Sequence, residues 1–189
     1  MQLRTTAHVF ALAVLIALAG CYQGTARTVS VGDLGRDSGW VLVAGLSPIR
    51  QSTDSDCGAA ALATMLRHWS VASSPGEILQ AVPSQSGHGI TMGALRDYAR
   101  HKGLAAFVIQ GEMDDLFKEV GLNHPVLVGL LQRHGSKSLA HFEVVAGINQ
   151  ITRRVLLLDP AHGLSEDSFD GFATEWRAAG RPALVIVPS

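Results

Sequence analysis

Residues 51–69 read QSTDSDCGAAALATMLRHW, a polar loop followed at once by small and apolar side chains. Within this stretch the larger apolar residues recur three and four positions apart, which is the spacing of one face of an α-helix. We therefore predict a helix that begins at about Cys57 and buries this face against the rest of the fold. The residues on that face are Leu62, Met65, Leu66 and Trp69.

Cys57 is expected in the first turn of this helix, where backbone N–H groups lack partners within the helix. These groups and the positive end of the helix dipole both favour a thiolate over a thiol, so the position suits a nucleophile. Six residues upstream, the side-chain amide of Gln51 could join the backbone N–H of Cys57 as a second donor to a developing oxyanion. The competing interpretation is a buried cysteine that acts only as a small hydrophobic residue.

An export signal is predicted at the start of the chain. Arg4 precedes an apolar run at residues 9–18, which is too short to span a membrane comfortably. The sequence Leu18-Ala19-Gly20-Cys21 resembles the lipobox of bacterial lipoproteins, which implies cleavage before Cys21 and lipidation of that residue. We expect this lipid to anchor the protein in a membrane. Because Tyr22 is not the aspartate of inner-membrane lipoproteins, we expect the outer membrane, facing the periplasm. The alternative is an ordinary secretory signal with a chance cysteine.

Length and composition predict one exported domain. Removal of residues 1–20 leaves 169 of the 189 residues, which is enough for a single hydrophobic core. The net charge of −1 provides no basic pattern for binding nucleic acid. With Cys21 lipidated, Cys57 is the only free thiol, so packing rather than a disulfide must stabilise the domain. We expect a lipid-anchored tether over residues 21–39 and the domain over 40–189, with the oligomeric state left open.

The order of the predicted elements favours an α+β fold. Most helices are expected before residue 122, together with strands near residues 40–43 and 105–109. From Pro125 onward, β-rich runs are joined by turn residues and interrupted by one late helix that carries Phe169 to Trp176. A helical half packed on an antiparallel sheet should place its active groups at the seam between them. The β-rich runs are residues 126–131, 139–148, 155–158 and 183–187.

A histidine and an aspartate lie at the ends of two neighbouring strands of this sheet. His141 begins the run HFEVVAGI, whose alternation puts His141 and Glu143 on the same face. Asp159 ends the next strand, and a hairpin joined near residues 149–153 would bring Asp159 beside His141. That carboxylate would orient the imidazole, whose other nitrogen would face Cys57. The alternative is an edge histidine and a strand-terminating Asp-Pro turn.

Together these motifs resemble the bacteriocin-processing, double-glycine cysteine peptidases. The resemblance implies a papain-like fold in which Cys57 is the nucleophile, His141 the general base and acid, and Asp159 the orienting carboxylate. Gln51 would then be the oxyanion-hole donor. In place of an apolar residue of the family, this sequence has Glu143, which we expect as an edge or cleft charge. The matching segments are Gln51, Asp56-Cys57-Gly58-Ala59-Ala60, His141-Phe142-Glu143-Val144-Val145 and Leu158-Asp159-Pro160-Ala161.

The resemblance implies an endopeptidase that hydrolyses a peptide bond of an exported peptide or protein through a thioester. Members of the family belong to export transporters and cut leader peptides after Gly-Gly, so small residues are the candidate cleavage site. Two other functions stay open, a non-catalytic peptide-binding module and a peptidoglycan endopeptidase. The other histidines lack the spacing of a zinc pair, and Gly87-His88-Gly89 lacks the strand and lysine of a phosphate loop. No metal, nucleotide or other cofactor is implied.

Overall fold

The structure, a computed structural model, describes residues 25–34, 39–82, 89–134 and 136–189. The predicted signal segment 1–20 and the predicted lipidation residue Cys21 lie outside the described residues. Within the described ranges, no helix is both long and apolar enough to cross a bilayer.

The described elements follow the predicted order of helices before most of the sheet, and the α+β expectation is confirmed. The helices are α1 (Val31–Leu34), α2 (Cys57–His68), α3 (Pro75–Ala81), α4 (Met92–His101), α5 (Met113–Gly121) and α6 (Phe169–Ala178). The strands are β1 (Arg27–Thr28), β2 (Trp40–Leu42), β3 (Leu104–Gln110), β4 (Val126–His134), β5 (Lys137–Asn149), β6 (Arg154–Asp159), β7 (Gly163–Ser168) and β8 (Pro182–Pro188).

The strands form one antiparallel sheet in the order β1-β7-β6-β5-β4-β8-β3, and β2 pairs with β5 as well. Helices cover both faces. On one face, side chains of α2, α3 and α4 pack against Leu127, Val144 and Leu158 of the sheet. On the other face, α5 and α6 pack against alternate residues of the same strands, such as Val128 and Val145. The long strand β5 therefore contributes to two hydrophobic cores, as the period-two alternation of a strand requires.

Helix α2 forms because its sequence is rich in alanine and leucine, which favour helix, and because it is surrounded by apolar neighbours. Its residues from Cys57 to Leu66 are all buried. The one polar side chain in that stretch is Thr64, whose Oγ1 donates to the Ala60 carbonyl at 3.0 Å and accepts from the Ile49 N–H at 3.0 Å. Thr64 thus connects the middle of the helix to the segment that precedes the loop at residue 51.

The next two helices begin at side-chain caps. Ser74 accepts from the Glu77 N–H, and the Glu77 carboxylate accepts from the Ser74 N–H, which completes a capping box. Pro75 was expected in the preceding loop but is the first residue of α3, a position where its missing N–H is harmless. Thr91 caps α4 as predicted, and Gly103 leaves that helix with φ of +86°.

Two segments have regular structure that the sequence did not predict. Residues 22–39 were expected to form an irregular tether, but Arg27–Thr28 pairs with β7 and α1 follows it. Strand β7 was missed because its sequence, GLSEDS, is polar. Its acids are nevertheless buried, since Glu166 pairs with Arg27 and Arg154 and Asp167 accepts from Thr25. Partners distant in sequence therefore stabilise this strand. The predicted domain limits stay a prediction.

Replacing Thr64 with Val should destabilise the fold by about 1–3 kcal/mol, because the partly buried N–H of Ile49 loses its acceptor. Denaturant unfolding of both forms measures this loss. Thr174→Val is the matched control, since Thr174 also donates to the carbonyl four residues earlier but is exposed on α6. We expect the control to change stability by less than about 0.5 kcal/mol. Equal effects of the two substitutions would contradict a special role for Thr64.

Candidate active site

Cys57 is the first residue of α2 and is 8% exposed. The preceding loop is shaped by Asp56, which is buried and does not cap the helix with its side chain. Its two carboxylate oxygens instead accept from the backbone N–H groups of Ser52 and Thr53, each at 3.0 Å. These bonds fold the loop back on itself, so that the thiol lies at the helix end where unpaired N–H groups favour negative charge.

Gln51 is positioned by its backbone, because its N–H donates to the Pro160 carbonyl at 3.0 Å. This bond joins the loop before α2 to the residue that follows Asp159. The Gln51 side-chain amide donates to the Thr53 carbonyl at 3.0 Å, which leaves its second N–H for another acceptor. The structure thus places Gln51 beside the turn that ends β6, and its role as an oxyanion donor stays a prediction.

His141 and Asp159 lie side by side on adjacent strands. The antiparallel register of β5 and β6 pairs Val144 with Leu158, so that the two ends away from the connecting turn come together. His141 Nε2 and Asp159 Oδ1 are 2.8 Å apart, the length of a charge-assisted hydrogen bond. The predicted juxtaposition of these two side chains is therefore confirmed.

Asp159 is 5% exposed and is held by more donors than the sequence suggested. The Ala161 N–H donates to its Oδ1 at 2.7 Å, and His162 Nδ1 lies 2.6 Å from its Oδ2. Burial by itself raises the pKa of Asp159, but the hydrogen bond and charge of His141, with the bonds from His162 and Ala161, hold it well below its usual range. Asp159 is therefore a carboxylate throughout the neutral range. His162 was missed as a partner, although it follows Asp159 by only three residues.

The Cys57 thiol lies next to the His141 side chain and is one of the groups that raise the pKa of His141. Since Nε2 is taken by Asp159, the nitrogen left for sulfur is Nδ1. Burial lowers the pKa of His141, but the bond to Asp159, the neighbouring Cys57 thiol and the charges of Glu143 and Asp159 outweigh burial and raise that pKa to about 10. At neutral pH the ring is therefore a cation between a carboxylate and a thiol, which is the environment that favours a thiolate.

Glu143 is not the edge or cleft charge that the sequence suggested. Its side chain is 1% exposed and lies behind His141, with Oε1 at 3.9 Å from His141 Nε2. The side chain of Gln132, on the neighbouring strand β4, donates to the same Oε1 at 2.9 Å. The alternation of β5 did put Glu143 on the face of His141, but nothing local in the sequence indicated that helix α6 would cover this face.

One group of described side chains is compact enough to hold a metal ion in principle. Its ligand atoms lie within 4.8 Å of one another and belong to His141, Glu143 and Asp159. The imidazole nitrogen and the aspartate oxygen of this group already bond to each other at 2.8 Å. The arrangement is accounted for by hydrogen bonds and gives no reason to place a metal in it.

A cleft of about 390 Å³ opens beside Cys57. Apolar side chains of β4 and β5 form part of its wall, among them Leu131, Leu139 and Phe142. Two glycines, Gly58 and Gly89, also line it. Gly58 is required by packing, because a Cβ there would lie 2.9 Å from Phe142 Cδ2. An extended chain could therefore reach the thiol along this cleft, whose lining also includes the polar residues Asp54, Ser55 and Ser138.

Comparisons with known proteins show which sequences and folds this chain resembles. A protein of Methanothermobacter marburgensis described only as uncharacterized is 36% identical over 115 residues, which are 61% of this chain and 72% of that protein. The peptidase domain of Streptococcus ComA, a bifunctional ABC transporter, superimposes with a TM-score of 0.64 at 23% identity, covering 76% of this chain and 99% of that domain.

A double-glycine motif protease from an AMS/PCAT transporter, solved with a leader peptide, gives a TM-score of 0.62 at 20% identity and covers 77% of this chain and 94% of that one. These two structural likenesses establish the papain-like fold that the motifs predicted. Residues 46–185, which include Cys57, His141 and Asp159, match the peptidase C39 family. The chain therefore belongs to the peptidase C39 family of cysteine peptidases.

Proposed function

We propose that this protein is a cysteine endopeptidase that hydrolyses a peptide bond through a thioester intermediate. The observation that carries the proposal is the placement of His141, which bonds to Asp159 through Nε2 and lies next to the Cys57 thiol. A nucleophile, a base and an orienting acid in that order are the minimum set for covalent acyl transfer. Membership of the C39 family supports the same chemistry.

In the first half of the reaction, the Cys57 thiolate attacks the carbonyl carbon of the scissile bond and the carbonyl oxygen becomes an oxyanion. The backbone N–H of Cys57 and the free amide N–H of Gln51 would stabilise that oxyanion. The His141 imidazolium then donates its proton to the leaving amine, and the C–N bond breaks to give the thioester. In the second half, neutral His141 removes a proton from water as the water oxygen attacks the thioester carbon. The C–S bond then breaks, which releases the acid and restores the Cys57 thiolate beside the His141 imidazolium.

The substrate that we propose is a peptide or protein cut after small residues such as Gly-Gly. Two features support a small residue at the scissile bond: Cys57 is nearly buried, and the cleft next to it is lined by Gly58 and Gly89. The apolar wall formed by Leu131, Leu139 and Phe142 suits apolar side chains elsewhere in the peptide. The similarity to a double-glycine motif protease solved with its leader peptide favours the same preference.

Replacing Cys57 with Ala should abolish cleavage, with a loss of at least ~1000-fold in turnover, because no other group supplies the attacking electron pair. The assay is a synthetic peptide library in which Gly-Gly, Gly-Ala and bulky pairs occupy the scissile position. Iodoacetamide labelling, mapped by mass spectrometry, should modify Cys57 in the wild type at mildly acidic pH. Unchanged cleavage by a folded Cys57→Ala protein would refute the proposal. A Cys57 that stays unlabelled at this pH would favour a non-catalytic peptide-binding module.

Replacing Gln51 with Ala should lower turnover by roughly 100-fold or more, because one oxyanion donor is removed. Iodoacetamide labelling of Cys57 should keep its wild-type rate, since alkylation forms no oxyanion. Gln150→Ala is the matched control, because Gln150 is exposed in the turn between β5 and β6, at the opposite end of the sheet. A loss below about tenfold, or a parallel loss of labelling, would make Gln51 a packing residue instead.

We also propose that the mature protein is a lipoprotein anchored through Cys21 in the outer membrane, with the peptidase domain in the periplasm. The support is the Leu18-Ala19-Gly20-Cys21 sequence after a short apolar run. In a Gram-negative host, Cys21→Ser should lose labelled palmitate and move from the membrane fraction to the soluble fraction. Cys57→Ala is the matched control and should stay labelled. Membrane retention of the Cys21→Ser protein would contradict the anchor.

A further inference from the structure

The proposed mechanism leaves one buried acid of the site without a function. Glu143 is 1% exposed, although a buried carboxyl group is costly unless it is paired or neutral. One step beyond the Val144–Leu158 pair, the register places Glu143 directly beside Asp159. If both groups were ionised, like charges opposite one another on neighbouring strands would be destabilising. A structural role alone would be met better by an apolar residue at this position.

The carboxyl group of Glu143 has two polar neighbours, Gln132 and His141. Oε1 accepts from Gln132 Nε2 at 2.9 Å and lies 3.9 Å from His141 Nε2. Oε2 is buried and makes no hydrogen bond within the described residues. The carboxyl group is thus held by one amide on β4, and the imidazole is the nearby group that gains from its negative charge.

Three titratable groups and one neutral amide surround Glu143. His141 lies on its own strand, Asp159 on β6 and Glu175 on α6, while β4 contributes the neutral Gln132. The pKa of Glu143 is raised to about 8, chiefly by burial. The charges of Asp159 and Glu175 also raise this pKa, whereas the charge of His141 and the hydrogen bond from Gln132 lower it. The group is therefore largely uncharged at neutral pH and becomes a carboxylate under alkaline conditions.

We propose that Glu143 is a positioning residue that acts through His141. Gln132 holds its carboxyl group against the side of the imidazole that bonds to Asp159, so that Nε2 lies between two acids and the ring keeps its proton facing Cys57. This inference rests on the proposed cysteine peptidase chemistry and extends it. It distinguishes this chain from the family pattern expected from the sequence, in which an apolar residue stands at this place.

The proposal has a defined consequence for pH dependence. At acidic pH Glu143 is neutral and adds no negative charge beside His141. As the pH rises, its carboxylate forms and opposes loss of the proton from His141, because its charge raises the pKa of that imidazole. Glu143 should therefore raise the upper end of the pH range in which the thiolate–imidazolium pair exists. The lower end of that range should not change.

The test is the rate of Cys57 alkylation by iodoacetamide between about pH 4 and pH 11, measured on the full chain. The acid inflection of the profile reports proton loss from the thiol, and the alkaline inflection reports proton loss from the imidazolium. Glu143→Gln keeps the size of the side chain and removes its charge. We expect the acid inflection to stay in place and the alkaline inflection to fall by about one pH unit or more, the effect of an opposite charge at this distance.

Two further variants keep the result interpretable. Glu143→Leu removes both the charge and the buried polar atoms, so it should fold even where a buried amide is not tolerated, and it must shift the alkaline inflection in the same direction. Glu166→Gln is the matched control, because it removes a buried acid that pairs with Arg27 and Arg154 on β1 and β6. Its two inflections should equal those of the wild type.

The outcomes separate this inference from the proposed function. Wild-type inflections in folded Glu143→Gln and Glu143→Leu proteins would overturn the inference, even if the enzyme cleaves peptides. A shifted alkaline inflection would support it, even if no peptide in the library is cut, because alkylation needs no substrate. A wild-type profile with a single inflection near pH 8.5, that of an ordinary thiol, would overturn both the inference and the proposed function. Such a profile would mean that Cys57 and His141 form no thiolate–imidazolium pair.

Discussion

The antiparallel register between β5 and β6 is the constraint on which the site depends. It sets Val144 opposite Leu158, and only with this pairing does the ring of His141 meet Asp159 at 2.8 Å. A slip of one residue would turn His141 to the other face of the sheet and would also exchange the two hydrophobic cores. The register is therefore protected by the packing of both faces, and the catalytic geometry that we propose gains the stability of the whole sheet.

The second requirement is that α2 stays fixed relative to this sheet, because Cys57 belongs to the helix and His141 to a strand. Three contacts serve this purpose at different points. Thr64 holds the chain before the loop, the Gln51 N–H bonds to the Pro160 carbonyl, and the Phe142 ring fills the space left by Gly58. The second and third contacts reach the residues next to Asp159 and His141, so a shift of the helix would disturb the site and its support together.

Local patterns were sufficient to predict much of this arrangement. The helical spacing after Cys57 located α2, and the β-rich runs on either side of a short turn located the hairpin that carries His141 and Asp159. What could not be predicted depends on partners distant in sequence. The polar strand β7 is stable because Arg27, Thr25 and Arg154 satisfy its acids, and Glu143 is buried because α6 and Gln132 enclose it. A single strand read by itself gives no information about such partners.

The buried acids of the sheet differ in how their charge is balanced, and this difference singles out Glu143. Glu166 has two arginines, Asp167 accepts from Thr25 and Ser168, and Asp159 has two histidines and a backbone N–H. Glu143 has a neutral amide and a histidine already bonded elsewhere. Within the part of the chain that the structure describes, His141 is the positive charge that compensates a negative charge on Glu143, so the ionisation of the two groups is coupled.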